Sequence, residues 1–228
     1  MGVYAIVTAG GTGERFKKLS STKTHKQFLS LDGKPLIIYS LLAFQKSRLV
    51  NSIIISSGKT HFEKLHSLAV KYQISKLTHL VESGKTRFHS VKNAFSVIAG
   101  SSKDLVIIHD AVRPNIDGLF IKNLIEAAQK FRCAIPALPV SETVKKSGKG
   151  FVERTIDRKD LFTIQTPQCF NYSILYNSYR KFPHDLKFTD ESALVEKAGY
   201  KVKIVPGRTG NIKITVPEDL IFLKNIIK

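Results

Sequence analysis

Short apolar segments alternate with amphipathic segments along most of the chain, and this alternation restricts the fold more than any other feature. The apolar segments are rich in Val, Ile and Leu, as is typical of buried strands, and the segments between them carry apolar residues at helical spacing. Strands that alternate with helices form parallel sheets with helices on both faces. We therefore predict a Rossmann-like α/β fold with a mostly parallel sheet, and we expect residues 1–228 to form one domain.

The bounds of the predicted elements follow from the same pattern. The predicted strands are 3–7, 28–31, 52–56, 78–82, 104–109, 133–140, 201–205 and 211–215. The predicted helices are 36–44, 60–72, 88–98, 119–131, 172–182 and 190–198, with a further helix from Pro217. Thr189 is the predicted N-cap of the helix at 190–198. The polar segment 17–27 is expected to form a flap over a bound ligand.

The stretch at about 141–161 interrupts the alternation. It contains two short β-type segments joined by Ser147-Gly-Lys-Gly150, a sequence typical of a hairpin turn. Two strands alone are only marginally stable in water. We therefore expect this projecting β-arm to dock on a second copy of the chain and to form a homodimer.

Composition excludes several classes of protein. No apolar run approaches the length of about 20 residues that a membrane span needs. The first residues lack the basic and apolar regions of a secretory signal, so we expect a cytoplasmic protein that does not contact a membrane. Cys133 and Cys169 stand far apart in apolar surroundings and are predicted to be buried free thiols.

The chain carries a formal net charge of +18, which favours an anionic ligand. The charge alone does not distinguish nucleotides, phosphorylated metabolites and nucleic acid. The basic residues are scattered rather than clustered in an arm or stripe, and for this reason we do not expect nucleic acid to be a partner.

A glycine-rich loop follows the first predicted strand directly, with the sequence Ala9-Gly-Gly-Thr-Gly13. Small residues let a backbone approach a ligand closely, and main-chain N–H groups in such a loop can bind phosphate oxygens. The alternative is a tight turn that binds nothing. The loop matches neither the P-loop nor the dinucleotide-binding pattern, because the lysine of the first and the third glycine of the second are missing.

Three polar segments follow predicted strands: the loop at 10–13, the loop at 84–87, and residues 110–113. Ligands of open parallel sheets bind beyond the carboxyl ends of the strands, so we expect these segments to converge at one edge. Asp110 ends the most apolar strand, and it is either a Mg²⁺ ligand or a structural residue, as an N-cap or as the partner of a salt bridge to Arg113. His109 is predicted to be a packed strand residue.

Several short motifs occur in the order known from one enzyme family. They are 9–15 (AGGTGER), 26–27 (KQ), 109–114 (HDAVRP), 157–158 (DR), 165–168 (QTPQ), 189–191 (TDE) and 211–215 (NIKIT). Together they resemble the 2-C-methyl-D-erythritol 4-phosphate cytidylyltransferase family, a group with the nucleotidyltransferase fold. Ribitol-5-phosphate cytidylyltransferases are close relatives that share most of these motifs.

The resemblance implies a reaction in which CTP and a sugar-alcohol phosphate give a CDP-alditol and pyrophosphate. It implies that Arg15, Lys26 and Lys213 stabilise the transition state, and that Asp110 holds Mg²⁺ against the CTP phosphates. The nucleotide-binding residues that it implies are Ala9, Gly10, Gly11, Gly13, Gly84, Ser90 and Ala111.

For the acceptor, the resemblance implies Arg113 and Thr189 from one subunit and Thr143 and Arg158 from the arm of the other. Gly210 stands where the family often has an aspartate, so a second carboxylate near the metal is missing. The motifs at 157–158 and 189–191 favour methylerythritol phosphate as the acceptor. Ribitol 5-phosphate remains the alternative, and a nucleotide- or nucleic-acid-binding protein without catalysis is the alternative from another class.

Overall fold

The computed structural model describes residues 1–11, 13–20, 22, 24–185 and 187–226, and all of their side chains except those of Arg15, Lys17 and Lys18. Its strands are β1 (Val3–Thr8), β2 (Ser30–Leu31), β3 (Lys34–Pro35), β4 (Ser52–Ser57), β5 (Leu77–Glu82), β6 (Leu105–Asp110), β7 (Cys133–Pro139), β8 (Val144–Gly148), β9 (Phe151–Ile156), β10 (Phe162–Ile164), β11 (Gln168–Asn171) and β12 (Lys203–Pro206). Its α-helices are α1 (Glu14–Leu19), α2 (Leu36–Lys46), α3 (Phe62–Lys71), α4 (Arg87–Ser96), α5 (Gly118–Phe131), α6 (Tyr172–Lys181), α7 (Glu191–Lys197) and α8 (Pro217–Ile226).

An eight-stranded sheet forms the centre of the fold, with β1 between β4 and β6. The four strands β5, β4, β1 and β6 are parallel, in that spatial order. β11 lies antiparallel between β6 and β7, β10 is antiparallel to β7, and β12 is parallel to β7. The prediction of a mostly parallel α/β sheet is confirmed.

The two faces of the sheet bury separate apolar clusters. Ala5 and Val7 of β1 point into a cluster with α2, α3 and α5, whereas Ile6 points into a cluster with α4, α6 and α7. This division arises because successive side chains along a strand point to opposite faces of the sheet. Each fully buried aliphatic side chain contributes about 1.5–3 kcal/mol, so helices on both faces stabilise the sheet.

A third cluster joins the glycine-loop region to the C-terminal region. Phe16 of α1 and Leu223 of α8 pack with Ile214, and all three are buried. The predicted strand at 211–215 is wrong, because these residues form no ladder: Ile214 N–H donates to the carbonyl of Val112, and no regular pairing continues from there. The apolar alternation instead places Ile214 in the cluster and leaves Lys213 facing the opposite way.

Other predictions need correction between residues 160 and 206. The antiparallel strands β10 and β11 were not expected, since an antiparallel strand inside the sheet has no separate signature in the alternation of elements. Thr189 is not the N-cap of α7; Asp190 is, and its carboxylate accepts from the N–H of Ala193 at 3.0 Å. The predicted strand at 201–205 is observed as β12, shifted to Lys203–Pro206.

The β-arm has the predicted hairpin form. Among the described strands, β8 and β9 pair with each other alone, and Lys149 and Gly150 both have positive φ at the turn between them. Phe151, at the start of β9, is 79% exposed. The arm therefore presents an apolar side chain to solvent in the isolated chain.

The flap predicted at 17–27 lies partly outside the described residues. Its described parts begin within α1 and end in a 3₁₀ turn at Lys26–Phe28, and of the predicted strand at 28–31 only β2 is extended. Cys133 and Cys169 are buried free thiols, as predicted. None of the described helices combines the length and the apolar character that crossing a bilayer requires.

Candidate active site

The glycine loop is held rigidly against the ends of two strands. The N–H of Ala9 donates to the carbonyl of Ser56 at 2.7 Å, and the carbonyl of Ala9 accepts from Nε2 of Gln27 at 2.6 Å. A Cβ on Gly10 would lie 2.4 Å from Cβ of Ser83, which is closer than real side-chain atoms approach. Glycine is therefore required where β1 leaves the sheet, because the side chain of Ser83, just after β5, occupies the space that a Cβ would need.

The loop after β5 is equally constrained. Oγ of Ser90 donates to the carbonyl of Thr86 at 2.9 Å and accepts from the N–H of Gly84 at 3.1 Å. A Cβ on Gly84 would lie 2.3 Å from Cβ of His89. Thr86 caps the N-terminus of α4 by accepting from the N–H of His89. The two glycine loops consequently form the two sides of one cleft at the carboxyl edge of the sheet.

Asp110, at the end of β6, lies among three cationic side chains. Its Oδ2 is 2.7 Å from Nζ of Lys213 and 3.9 Å from Nε of Arg113, and its Oδ1 is 3.3 Å from Nε of Arg87. Burial by itself would raise the pKa of this carboxyl, but Arg87 and Lys213 outweigh burial and hold the pKa well below its usual range. Asp110 is therefore ionised at neutral pH.

His109 positions the loop that follows β6. Its Nε2 lies 3.1 Å from the carbonyl of Arg113, and its Nδ1 lies 3.2 Å from Oγ1 of Thr166. Because a carbonyl only accepts, this network assigns the proton to Nε2. Burial lowers the pKa of His109 to about 4, so the ring is neutral. The prediction of a packed strand residue is confirmed.

A cavity of about 310 Å³ opens between the two glycine loops, within the usual range of small-molecule sites. Most of the residues that the sequence assigned to nucleotide, metal or transition-state binding line it: Ala9, Gly10, Gly11, Gly13, Lys26, Gly84, Ser90, Asp110, Ala111 and Lys213. Residues that are 200 positions apart in the chain thus meet at one edge of the sheet. The strand-end rule predicted this for the segments at 10–13, 84–87 and 110–113, whereas Lys26 and Lys213 were assigned by the family resemblance.

A second cavity of about 390 Å³ adjoins the first. Thr189 and Arg113 line it, together with polar residues of β11 and α7. The two cavities share Arg87, Asp110 and Lys213 as lining residues. The two cavities therefore meet at the charged side chains around Asp110.

The structure places the other catalytic and acceptor-binding residues that the sequence predicts in several different environments. Lys26 donates from Nζ to the carbonyl of Ile214 at 2.9 Å, which ties the start of the chain to the segment that carries Lys213. Arg15 lies in α1, and its side chain is outside the described ones. Thr143 and Arg158 are exposed on or beside the arm, where Arg158 donates to the carbonyl of Ser141, and neither lines the cavities as the described residues form them.

The sequence did not single out two residues of this site. Arg87 reaches both Asp110 and Glu191, and its Nη1 lies 2.5 Å from Oε2 of Glu191. Arg87 was visible only as the last residue of a polar loop, and Glu191 only as part of the motif at 189–191. No spacing rule relates residues 104 positions apart, so their pairing needed the tertiary structure.

The donor set at Asp110 fits a Mg²⁺ ion shared with phosphates. Among the described residues no group of three His, Cys, Asp or Glu side chains could hold a metal ion alone. Mg²⁺ is usually bound by one or two carboxylates together with substrate phosphates, and a single buried carboxylate beside a cavity lined by Lys26, Arg87 and Lys213 is compatible with that arrangement. At Gly210 the carbonyl accepts from Nδ2 of Asn115 at 3.0 Å, and no side chain is available for a second ligand.

A parallel α/β sheet, a cleft of main-chain groups and a cationic junction between two cavities together define a protein of the nucleotidyltransferase class. The sequence profile of 2-C-methyl-D-erythritol 4-phosphate cytidylyltransferase matches residues 3–228. The chain belongs to this family.

Relatives and solved structures agree over the full length. The enzyme of that name from Clostridium kluyveri is 37% identical, with 99% of this chain and 96% of the relative covered; the one from Geobacillus kaustophilus is 36% identical, with 100% and 97% covered. The crystal structure of 4-diphosphocytidyl-2C-methyl-D-erythritol synthase from Anaerococcus prevotii superposes with a TM-score of 0.83 at 29% identity, covering 99% of this chain and 98% of that one. The crystal structure of the Thermus thermophilus cytidylyltransferase superposes with a TM-score of 0.79 at 27% identity, covering 99% of this chain and 98% of that one.

Proposed function

We propose that this protein transfers CMP from CTP to 2-C-methyl-D-erythritol 4-phosphate and releases pyrophosphate, a step of isoprenoid precursor synthesis in the cytoplasm. The observation that carries the proposal is the junction of the two cavities at Arg87, Asp110 and Lys213. The cavity between the glycine loops takes CTP, and the adjoining cavity takes the acceptor. The full-length relatives bear the name of this enzyme.

In the proposed step, an oxygen of the acceptor phosphate attacks the α-phosphorus of CTP in line. The new bond joins the two phosphates, the bond from the α-phosphorus to the bridging oxygen breaks, and pyrophosphate leaves. Positioning and charge neutralisation supply most of the catalysis in such transfers. Lys26 lies on one side of the nucleotide cavity and Lys213 at the junction, so both can neutralise charge there, and Arg15 is proposed to do the same.

We propose that Asp110 binds Mg²⁺ together with the phosphates of CTP. The ion neutralises phosphate charge when bound. Asp110 supplies an ionised carboxylate whose negative charge the protein already stabilises, because Lys213 lies 2.7 Å away. With an ion held at Asp110, Lys213 would be available to neutralise phosphate charge in the transition state.

The acceptor cavity is proposed to be completed by a second copy of the chain. Arg113 and Thr189 line it from one subunit. Thr143 and Arg158, which are exposed in the isolated chain, would reach it from the arm of the other subunit. The exposed Phe151 on the same arm supports docking, since burying it stabilises a dimer. Sedimentation of wild-type protein and of a Phe151→Asp variant would test this assembly.

Pyrophosphate release with CTP and Mg²⁺ tests the function directly. We expect turnover with methylerythritol 4-phosphate and at least 100-fold lower kcat/KM with ribitol 5-phosphate, the acceptor of the related enzymes. The family match favours the first acceptor. Turnover with ribitol 5-phosphate alone would contradict the proposal. Nucleic-acid binding with a steep salt dependence and no turnover would instead indicate a binding protein without catalysis.

A further inference from the structure

Arg87 and Glu191 form a buried ion pair that the nucleotide and acceptor assignments leave without a task. Nη1 of Arg87 lies 2.5 Å from Oε2 of Glu191, and the side chain of Glu191 is only 2% exposed. Arg87 begins α4 and Glu191 begins α7, so the pair connects two helices on one face of the sheet. Burying a carboxylate in this way is costly, and a buried ion pair is by itself weak support for stability.

The same guanidinium bridges two carboxylates. Its Nε lies 3.3 Å from Oδ1 of Asp110, while its Nη1 is held by Glu191. Its Nη2 is a buried donor for which the described part of the chain offers no acceptor. Buried donors are nearly always paired, so this nitrogen favours an acceptor supplied by a ligand.

The two carboxylates differ in their other partners. Asp110 also faces Lys213 and Arg113, whereas among the described residues Glu191 forms an ion pair with Arg87 alone. Burial raises the pKa of Glu191 against the opposing effect of Arg87. Removing Glu191 would therefore leave Asp110 as the remaining carboxylate partner of Arg87 among the described residues. Glu191 thus gives Arg87, where the two cavities meet, a carboxylate partner that is independent of Asp110.

We propose that Arg87 is a catalytic residue that contacts the α-phosphate of the bound cytidine nucleotide, and that Glu191 is the positioning residue that holds its guanidinium there. The inference rests on the proposed function for the identity of the nucleotide. The α-phosphate is the group that joins the two substrates, and Arg87 lines both cavities. A planar guanidinium with several donors suits phosphate oxygens better than a point charge does.

Nucleotide binding separates a phosphate contact from general damage. We expect Arg87→Met to weaken CMP binding at least fivefold by calorimetry, and to leave cytidine binding within twofold by NMR titration, because only CMP carries the phosphate. Arg208→Met is the matched control: Arg208 also pairs with a carboxylate at 2.5 Å, that of Asp117, but lines neither cavity, so both affinities should stay within twofold.

An equal loss for both ligands, or no loss for CMP, would overturn the phosphate contact. If wild-type protein bound no CMP, the nucleotide assignment would fail and the contact with it. Neither readout uses an acceptor, so an enzyme that proved inactive with methylerythritol phosphate could still confirm or overturn the role of Arg87.

Steady-state kinetics test the positioning role of Glu191. We expect Glu191→Gln to lower kcat about 10- to 100-fold with KM for CTP within threefold, the pattern of an interaction made mainly in the transition state. A second variant tests whether the Arg87–Glu191 pair only holds α4 to α7. Replacing both partners, as in Arg87→Met with Glu191→Leu, should restore thermal stability, because two apolar side chains leave no buried charge unpaired.

In that double variant we expect a melting temperature close to the wild-type value and a kcat still at least 100-fold low. Recovery of kcat together with stability would show that the pair only holds α4 to α7, and would overturn the proposal. An unchanged kcat in the folded Glu191→Gln variant would do the same even if the double variant did not fold.

Discussion

Replacing Lys213 with alanine separates the catalytic use of this lysine from its structural use. In the ligand-free chain, Nζ of Lys213 lies 2.7 Å from Oδ2 of Asp110. Two unit charges about 4 Å apart interact by about 4 kcal/mol at an effective dielectric constant of about 20. The side chain of Lys213 is 41% exposed, however, so water screens much of this interaction. Asp110 also keeps Arg87 and Arg113 as partners.

We therefore expect Lys213→Ala to cost only about 1–2 kcal/mol of unfolding free energy. For a chain of this length that lowers the melting temperature by about 5 °C. The rate should fall much further, by about 100- to 1,000-fold in kcat, which is typical for the loss of one electrostatic group aimed at a transition state. CTP affinity should change by less than about fivefold, because the proposed contact of Lys213 with the phosphates is made mainly in the transition state.

The assay is pyrophosphate release under saturating substrates, combined with calorimetric titration of CTP and thermal unfolding. Lys122→Ala is the matched control, because Lys122 pairs with Glu126 at 3.7 Å on the exposed face of α5 and lines neither cavity. An unchanged kcat, or a loss of CTP affinity as large as the loss of kcat, would refute a transition-state role for Lys213.

Three further predictions follow from other parts of the site. Gly84→Ala should lower CTP affinity about tenfold by calorimetry and destabilise the fold by about 1–3 kcal/mol in thermal unfolding, because the new Cβ would lie 2.3 Å from Cβ of His89. Mixed dimers of Arg158→Ala and Lys26→Ala subunits should regain measurable turnover if the arm completes the acceptor site of the other subunit; verified heterodimers without turnover would contradict that. The folded pKa of Asp110 lies below its unfolded value, so the stability it contributes is present above pH of about 4 and is lost as the pH falls through the folded pKa. Denaturant titrations from pH 5 down to about pH 2 should therefore show a flatter decline below pH of about 4 for Asp110→Asn than for wild-type protein.

Much of the sheet could be predicted because its signal is local. Residues 3–7 form a short apolar run that is rich in β-branched side chains, and such a run is typical of a buried strand. The glycines after β1 and β5 were recognisable for the same reason, since a strand end followed by glycine is a local pattern. The rule that ligands lie beyond the carboxyl ends of parallel strands then placed Asp110 with both loops.

The incorrect predictions concern segments whose structure depends on distant partners. Polar and apolar residues alternate over 211–215 as they do in a strand, yet these residues pair with none of the described strands. The segment instead places Lys213 beside Asp110. The antiparallel β11 lies between β6 and β7 although it follows the arm in the chain. Asp190 rather than Thr189 caps α7, because capping depends on backbone conformation that neighbouring residue types do not reveal.

By itself, the sequence determined the α/β class, the two glycine loops, the hairpin arm and the family, since each is carried by residues close together in the chain or by motifs in a known order. Only the tertiary structure decided that Arg87 bridges Asp110 and Glu191, and that the two cavities share their cationic junction. The physical reason is distance along the chain. Arg87 is 23 positions from Asp110 and 104 positions from Glu191, so no sequence periodicity reveals either ion pair. The pairs form only once the sheet has brought the strand ends together.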